Sequence, residues 1–182
     1  MSTATLITAE EFSRMSFDTP CELVRGEIVE MTSPGQRHGG VCHNVSRVFI
    51  KWLPHEDDYA ISSNDAGVKT DDDPDTVRGP DLQVIERRRL PEGKLPVGHL
   101  IIPSDVAVEV MSPSDRWPPI IQKVGEYLAT GVREVWVLDP SHQRVHVYRV
   151  DDEPTVLDRD RELISTAIPG LRFPVSELFR GV

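Results

Sequence analysis

Two carboxylates and a lysine occur where the hydrophobic pattern predicts buried strands and a helix. Asp81 opens one apolar run, and Glu109 interrupts residues 106–111, whose alternating valines predict a strand. Lys123 falls within residues 120–130, where the apolar spacing predicts a helix. If the two strands are neighbours, the carboxylates converge, and buried like charges are costly unless they share a cation or a proton. Oxygen donors favour Mg²⁺, with Mn²⁺ also acceptable, and such an ion beside a lysine could activate water for phosphodiester hydrolysis.

Residues 104–140 contain the elements that must hold Glu109 and Lys123. The segment is predicted as strand, loop, helix and strand, which is typical of a βαβ unit with parallel strands. The stretch SPSDRWPP is expected to break the chain and delay the helix to Ile120, and Gly131 is expected to end it. A second strand is predicted at residues 135–138.

The remaining sequence predicts one domain over residues 1–182, with a core from about residue 10 to residue 180. Thr8 and Glu11 have the spacing of a capping box. The other predicted elements are a hairpin at 22–31, a helix at 38–53, short strands near 59–61 and 66–68, a strand at 144–149 paired with 135–138, and apolar segments at 157–173 that close the same sheet. These elements predict the α/β fold class.

Composition limits the classes of protein that the chain can belong to. The chain has 182 residues, 38% hydrophobic and 27% charged, without an apolar run long enough to span a bilayer. We therefore expect a cytoplasmic protein without membrane attachment, whose Cys21 and Cys42 are reduced thiols of the core. The net charge of -10 argues against passive electrostatic binding to nucleic acid, although an acidic metal site would itself contribute negative charge.

Several segments in a fixed order resemble one protein family. They are CELVRGEIVEMTSPGQRHGG, GPDLQVI, VAVEVMSPSDR and KVGEYLATGVREVWVLDP. Together they resemble the bacterial Uma-type restriction endonuclease family, once catalogued as a domain of unknown function, in the PD-(D/E)XK nuclease superfamily. The superfamily lysine usually follows the acid by two residues, where this chain has Met111. In several branches the lysine has moved to the next helix, and Lys123 resembles that variant.

The resemblance implies a restriction-endonuclease-like core, with a mixed (α+β) central sheet flanked by helices. It also implies an Mg²⁺ ion held by Asp81, Glu109 and the backbone carbonyl of Val110. Lys123 would assist the attacking water. Glu22 and His38 match cleft positions of the family, which implies supporting roles in metal or phosphate contact. The chain departs from the family at Pro119, where many members carry an acid, and this puts the placement of Lys123 and any second metal in question.

Each candidate residue also has a structural interpretation. Glu109 could pair with Arg116 or Arg133, and Asp81 could close the turn after Gly79-Pro80. Lys123 could lie on the surface, Glu22 could pair with Arg25 or with a neighbouring strand, and His38 could be a polar residue at a helix start. Trp136 and Tyr127 are predicted to be core residues rather than base-stacking platforms.

The favoured function is an Mg²⁺-dependent DNA endonuclease. The first alternative is a catalytically inactive module that kept the fold and binds nucleic acid or protein. The second is a nuclease that acts on RNA, or in repair or a mobile element rather than in restriction. Two-fold cutting of a duplex would suit a homodimer, with exposed strand edges at residues 144–164 as its candidate surface.

Overall fold

The computed structural model describes residues 6–182. The helices are α1 (Ala9–Arg14), α2 (Gln36–Trp52) and α3 (Trp117–Thr130). The strands are β1 (Cys21–Val24), β2 (Glu27–Glu30), β3 (Tyr59–Ser63), β4 (Val68–Asp71), β5 (Thr76–Arg78), β6 (Leu82–Glu86), β7 (Val106–Val110), β8 (Glu134–Asp139), β9 (Arg144–Tyr148), β10 (Thr155–Asp158), β11 (Glu162–Ile164) and β12 (Arg172–Pro174). Short 3₁₀ turns occupy Glu56–Asp58, Arg87–Arg89, Pro91–Gly93 and Val175–Glu177.

A six-stranded mixed sheet forms the centre of the fold, in the order β10-β9-β8-β7-β6-β3. Strands β7 and β8 are parallel and are joined by α3, which confirms the predicted βαβ unit. Strand β9 pairs with β8 in antiparallel fashion, also as predicted. Strand β6 lies antiparallel to β7. The strands that carry the two acids are therefore neighbours, as the convergence argument required.

The two faces of this sheet pack against different helices. Val106, Val108 and Val110 of β7 contribute to a core with α2, whereas Ala107 belongs to a second core with α3. Because side chains alternate along a strand, Glu109 faces the α3 side together with Ala107. The predicted alternation of side chains along β7 thus determines that the Glu109 carboxylate faces α3.

Two smaller sheets complete the fold. Strands β2, β1, β5 and β4 form a four-stranded sheet around the predicted Arg25-Gly26 hairpin. The prediction that residues 157–173 close the central sheet is wrong for its last part, since β11 and β12 pair only with each other. Their buried Leu163 and Phe173 instead cover the core on the α2 side, so burial explains their apolar residues without sheet extension.

The starts of the two long helices differ from the prediction. The capping box of Thr8 and Glu11 on α1 is confirmed. Helix α2 begins at Gln36, so Gly39 and Gly40 lie inside it. Helix α3 begins at Trp117 rather than Ile120, because proline is compatible with the first helical turn, where its missing N–H costs no internal hydrogen bond. Gly131 ends α3 at a φ of 104°, as predicted.

No helix within residues 6–182 is both long and apolar enough to cross a bilayer. Cys21 and Cys42 are free thiols, and both are half-buried. Cys42 packs against the core on the α2 side, as expected for a core thiol.

Glu134, at the start of β8, is a buried carboxylate whose oxygens are both hydrogen-bonded. One oxygen accepts from the Trp136 indole N–H and the Ser165 hydroxyl, each at 2.9 Å. The other accepts from the backbone N–H and hydroxyl of Thr166 at 2.7 Å and from Arg149 Nε at 2.9 Å. These contacts tie the segment around β11 to the central sheet.

Glu134→Gln is expected to lower the free energy of unfolding by about 3–5 kcal/mol, because the new amide group must face hydrogen-bond donors and Arg149 loses its carboxylate partner. Urea unfolding with linear extrapolation measures this difference. The matched control is Glu162→Gln, whose exposed pair with Arg172 is expected to matter by at most about 1 kcal/mol. Equal losses for the two variants would contradict a structural role for Glu134.

Low pH is expected to weaken the stabilisation of the fold by the Glu134 carboxylate. Burial alone would raise the pKa of Glu134, but the hydrogen bonds from Thr166, Trp136 and Ser165 hold that pKa below its ordinary 4.5. The unfolded chain therefore takes up a proton at higher pH than the folded protein does, and stability is lost as the pH falls from 4.5 through the lower folded pKa. Urea unfolding at a series of pH values should show the gap between wild type and Glu134→Gln narrowing in that window; a constant gap would contradict the account.

Candidate active site

The pairing of β6 with β7 brings Asp81 beside Glu109. The register aligns Leu82 with Val108, so one further residue sets Asp81 opposite Glu109 and on the same face. The N–H of Val110 donates to Asp81 Oδ2 at 2.6 Å, which fixes the carboxylate at the start of β6. Asp81 thus holds the two strand ends together and does more than close the Gly79-Pro80 turn. Both acids line one pocket.

Glu109 is a nearly buried carboxylate with a partner at each oxygen. Its Oε1 accepts a 2.7 Å hydrogen bond from the Tyr127 hydroxyl, and its Oε2 lies 3.5 Å from Lys123 Nζ. Burial raises the pKa of Glu109 to about 7, and the nearby Asp81 and Glu22 carboxylates act in the same direction, against Lys123 and the Tyr127 hydrogen bond. The proposed alternative partner Arg133 instead contacts Asp105. An ionised Glu109 is therefore costly unless a further cation is close.

Lys123 reaches the acids despite the prolines before it. Its ammonium lies 2.8 Å from Glu22 Oε1 and 3.5 Å from Glu109 Oε2, and the side chain is only 11% exposed. Burial would lower the pKa of Lys123, but the Glu109 and Glu22 carboxylates outweigh it and raise that pKa. The early start of α3 at Trp117 allows this position. Lys123 is a buried, charged group of the pocket rather than a surface lysine.

Glu22 belongs to the same pocket, and Arg25 is not its partner. It accepts from Arg78 Nη1 at 2.8 Å and from the Gly79 N–H at 3.1 Å, in addition to its contact with Lys123. Since these donors use both carboxylate oxygens, Glu22 holds Arg78 and Lys123 in place.

Sequence reasoning missed three residues of this network: Arg78, Glu126 and Tyr127. Arg78 is buried on β5, and its Nε and Nη2 atoms contact the two oxygens of Glu126 at 2.5 and 3.0 Å. A signal existed for two of them, because Glu126 and Tyr127 follow Lys123 by one helical turn and so share its face. Tyr127 is buried, as predicted, but its hydroxyl also serves the site.

His38 lies in the first turn of α2 and joins the pocket through Asp81. Its Nε2 is 3.1 Å from Asp81 Oδ1. Burial would lower the pKa of His38, but the hydrogen bond and charge of Asp81 dominate, together with Cys42, and raise it to about 10. His38 therefore contacts Asp81 and is more than a polar residue at a helix start.

The pocket around these groups has a volume of about 160 Å³ and an acidic lining. Its residues are Pro20, Cys21, Glu22, Met31, Thr32, Pro34, His38, Asp65, Gly79, Asp81, Glu109, Val110, Ser112, Asp115, Pro119, Ile120 and Lys123. Burial raises the pKa of Asp65, and the nearby Asp81 carboxylate adds to the effect. Several carboxylates thus share a small space with few cations, which suits a divalent metal ion.

The donors fit Mg²⁺ or Mn²⁺ by chemistry, because Asp81 and Glu109 offer oxygen atoms. Among residues 6–182, one His, Cys or carboxylate atom from each of His38, Cys42 and Asp81 lies within 4.8 Å of the others, and Glu109 is not in that group. Val110 contacts Asp81 through its N–H. Coordination by its carbonyl remains a prediction.

The central mixed sheet, the β7–α3–β8 unit and the placement of the acids at the paired ends of β6 and β7 define a restriction-endonuclease-like fold. A crystal structure described as "a putative nuclease belonging to DUF820", from Anabaena variabilis ATCC 29413, aligns over 95% of this chain and 97% of that chain, with a TM-score of 0.81 and 22% sequence identity. Residues 9–176 match the Uma2 family, described as "Putative restriction endonuclease", so the chain belongs to this family and the predicted resemblance is confirmed. A search of curated proteins gives no match.

Proposed function

We propose that this chain is an Mg²⁺-dependent endonuclease that hydrolyses phosphodiester bonds in DNA. The observation that carries the proposal is the meeting of Glu109 and Lys123 with Asp81 in one acidic pocket. The family description supports a nuclease, and the similar Anabaena variabilis protein is also described as one. We infer that the chain acts as a single domain in the cytoplasm, where its free thiols would stay reduced.

Asp81 and Glu109 would hold the metal ion, with the Val110 carbonyl as a further oxygen donor. A bound Mg²⁺ would supply Lewis-acid polarisation of the phosphate and a water of lowered pKa. The Val110 N–H orients Asp81, and the Tyr127 hydroxyl orients Glu109, so the two carboxylates are held before any ion arrives. Such prior ordering reduces the reorganisation needed for catalysis.

Lys123 would act on the substrate side of the pocket. Glu22 and Glu109 hold its ammonium, which can donate a hydrogen bond to the attacking water and stabilise charge on the phosphate oxygens. Arg78 neutralises Glu22 and is itself held by Glu126, so it fixes the carboxylate that positions Lys123. His38, beside Asp81, would contact phosphate or metal.

Two surface features support a DNA substrate and a homodimer. Exposed Arg37 and Arg116 adjoin the pocket residues His38 and Asp115 and could meet DNA phosphates despite the acidic net charge. We propose a homodimer for cutting both strands. Strand β10 is an edge of the central sheet and exposes Val156, so it is the candidate surface.

The test is cleavage of supercoiled plasmid DNA by the purified chain with Mg²⁺, with Mn²⁺ and with EDTA. We expect nicked or linear plasmid with either ion, none with EDTA, and weaker cleavage of RNA of matched length. Absence of cleavage together with absence of Mg²⁺ or Mn²⁺ binding in calorimetry would overturn the proposal in favour of an inactive binding module. Cleavage confined to RNA would overturn the choice of DNA.

A further inference from the structure

A second set of donors adjoins the acid pair and includes a thiol that the proposed reaction does not use. His38 and Cys42 are one helical turn apart on α2, with His38 Nδ1 at 3.5 Å from Cys42 Sγ. Asp81 approaches the same imidazole from the start of β6, at 3.1 Å from Nε2. One donor atom from each of these residues lies within 4.8 Å of the other two.

The chemistry of this set differs from that of an Mg²⁺ site. Imidazole, thiolate and carboxylate are the ligands of borderline-soft ions such as Zn²⁺, whereas Mg²⁺ prefers oxygen. Bond lengths of about 2.0–2.3 Å place the donors around a tetrahedral zinc roughly 3–4 Å apart. The three donor atoms, which lie within 4.8 Å of one another, must therefore move closer together. The His38 ring must also turn to direct one nitrogen at the ion, because its Nδ1 faces Cys42 and its Nε2 faces Asp81.

The scaffold holds the donors near these positions. The Val110 N–H anchors Asp81 at 2.6 Å, and α2 sets the spacing of the other two residues. The side chains of His38 and Asp81 are only 11% and 12% exposed. A fourth position would face the pocket that Asp81 and His38 line, where water can complete the coordination.

We propose that His38, Cys42 and Asp81 form a binding site for Zn²⁺ or a similar borderline-soft metal ion. The site shares Asp81 with the proposed Mg²⁺ site, so the two ions compete for this carboxylate. Zinc binding itself does not rest on the proposed nuclease activity; only the competition does. Zinc would then withdraw from the Mg²⁺ site a ligand that the Val110 N–H otherwise holds in place.

The other cysteine provides a matched control. Cys21 also lines the pocket, but its sulfur lies 3.3 Å from the Thr19 carbonyl oxygen. It is not part of the three-donor group found in the described part of the chain. Cys21→Ser therefore removes a thiol of the same pocket without removing a proposed ligand, whereas Cys42→Ser removes the ligand itself.

The first experiment titrates the metal-free protein with Co²⁺, a spectroscopic probe for a zinc site. We expect thiolate-to-cobalt charge-transfer absorption in wild type and in Cys21→Ser, its loss in Cys42→Ser, and displacement of Co²⁺ by Zn²⁺. In calorimetry, Cys42→Ser and His38→Gln should each lower the Zn²⁺ affinity by at least about tenfold relative to Cys21→Ser. Absence of the absorption band in wild type overturns the proposal without depending on any variant. Equal Zn²⁺ affinity of Cys21→Ser and Cys42→Ser also overturns it.

Plasmid cleavage separates this proposal from the proposed function. If wild type cleaves DNA with Mg²⁺ but shows no thiolate-to-cobalt band, the zinc site alone is refuted. If the band is present and depends on Cys42 while plasmid stays intact, the nuclease alone is refuted. With both properties present, added Zn²⁺ should inhibit Mg²⁺-dependent cleavage by wild type, and excess Mg²⁺ should relieve the inhibition; inhibition that Mg²⁺ leaves unchanged overturns the shared use of Asp81.

Discussion

Glu109→Gln is expected to slow Mg²⁺-dependent DNA cleavage by about 100- to 1000-fold, because it removes a carboxylate from the metal site and its charge from the reaction. The amide keeps the size of the side chain, and its carbonyl can still accept from the Tyr127 hydroxyl. Initial rates of plasmid nicking measure the effect, and calorimetry should show weaker Mg²⁺ binding.

Loss of folding would not explain this result. Burial raises the pKa of Glu109 from its ordinary 4.5 to about 7. The metal-free protein therefore loses stability as the pH rises from 4.5 through 7, and the ionised carboxylate destabilises it fully above that range. Glu109→Gln should therefore unfold in urea at the same or a higher concentration than wild type at alkaline pH. Glu86→Gln is the matched control on β6, where the acid pairs with exposed Arg88, and it should cleave normally. Equal rates for Glu109→Gln and Glu86→Gln would contradict the role of Glu109.

Lys123→Met is expected to lower cleavage by about 100-fold or more while Mg²⁺ binding is kept or strengthened. The variant removes the ammonium that lies 3.5 Å from Glu109 Oε2 and that competes with Mg²⁺ for the carboxylates. The substrate, however, loses the hydrogen bond that this ammonium would donate. Calorimetry and plasmid nicking on the same preparation measure the two effects.

Slower DNA cleavage with kept or strengthened Mg²⁺ binding would distinguish Lys123 from a metal ligand, whose loss weakens both. Lys51→Met, on the exposed surface of α2, is the matched control and should change neither quantity appreciably. Urea unfolding checks that Lys123→Met folds, since Arg78 still neutralises Glu22. If Lys123→Met cleaved DNA as fast as Lys51→Met, Lys123 would have only a structural role.

The sequence was sufficient to predict the local elements and the part of the site that they determine. Alternation placed Glu109 within a strand, and the β7–α3–β8 unit is a local motif that brings Lys123 back over it. Asp81 could be assigned because β6 neighbours β7 in the sheet. These placements depend on the hydrophobic periodicity of each element and on the short segments that connect the elements, and both can be identified in a single sequence.

The partners of buried charges were less predictable. The sequence left the partner of Glu22 open between Arg25 and a neighbouring strand, and the structure pairs Glu22 with Arg78 of the neighbouring strand β5, 56 residues away. Such pairs depend on how the small sheet packs against α3, and no hydrophobic period encodes that contact. The pairing of β11 with β12 was missed for a similar reason, because apolar alternation indicates burial without identifying the neighbouring strand. Tyr127 shows that one side chain can fill the core and also hold the Glu109 carboxylate of the candidate site.

The most direct test of the central claim is a crystal structure of the protein soaked with Mn²⁺, with the ion located by its anomalous scattering. The account predicts a peak at coordination distance from carboxylate oxygens of both Asp81 and Glu109, with Lys123 still beside Glu109. A peak that contacts only exposed acids such as Asp72, or none at saturating Mn²⁺, would contradict it.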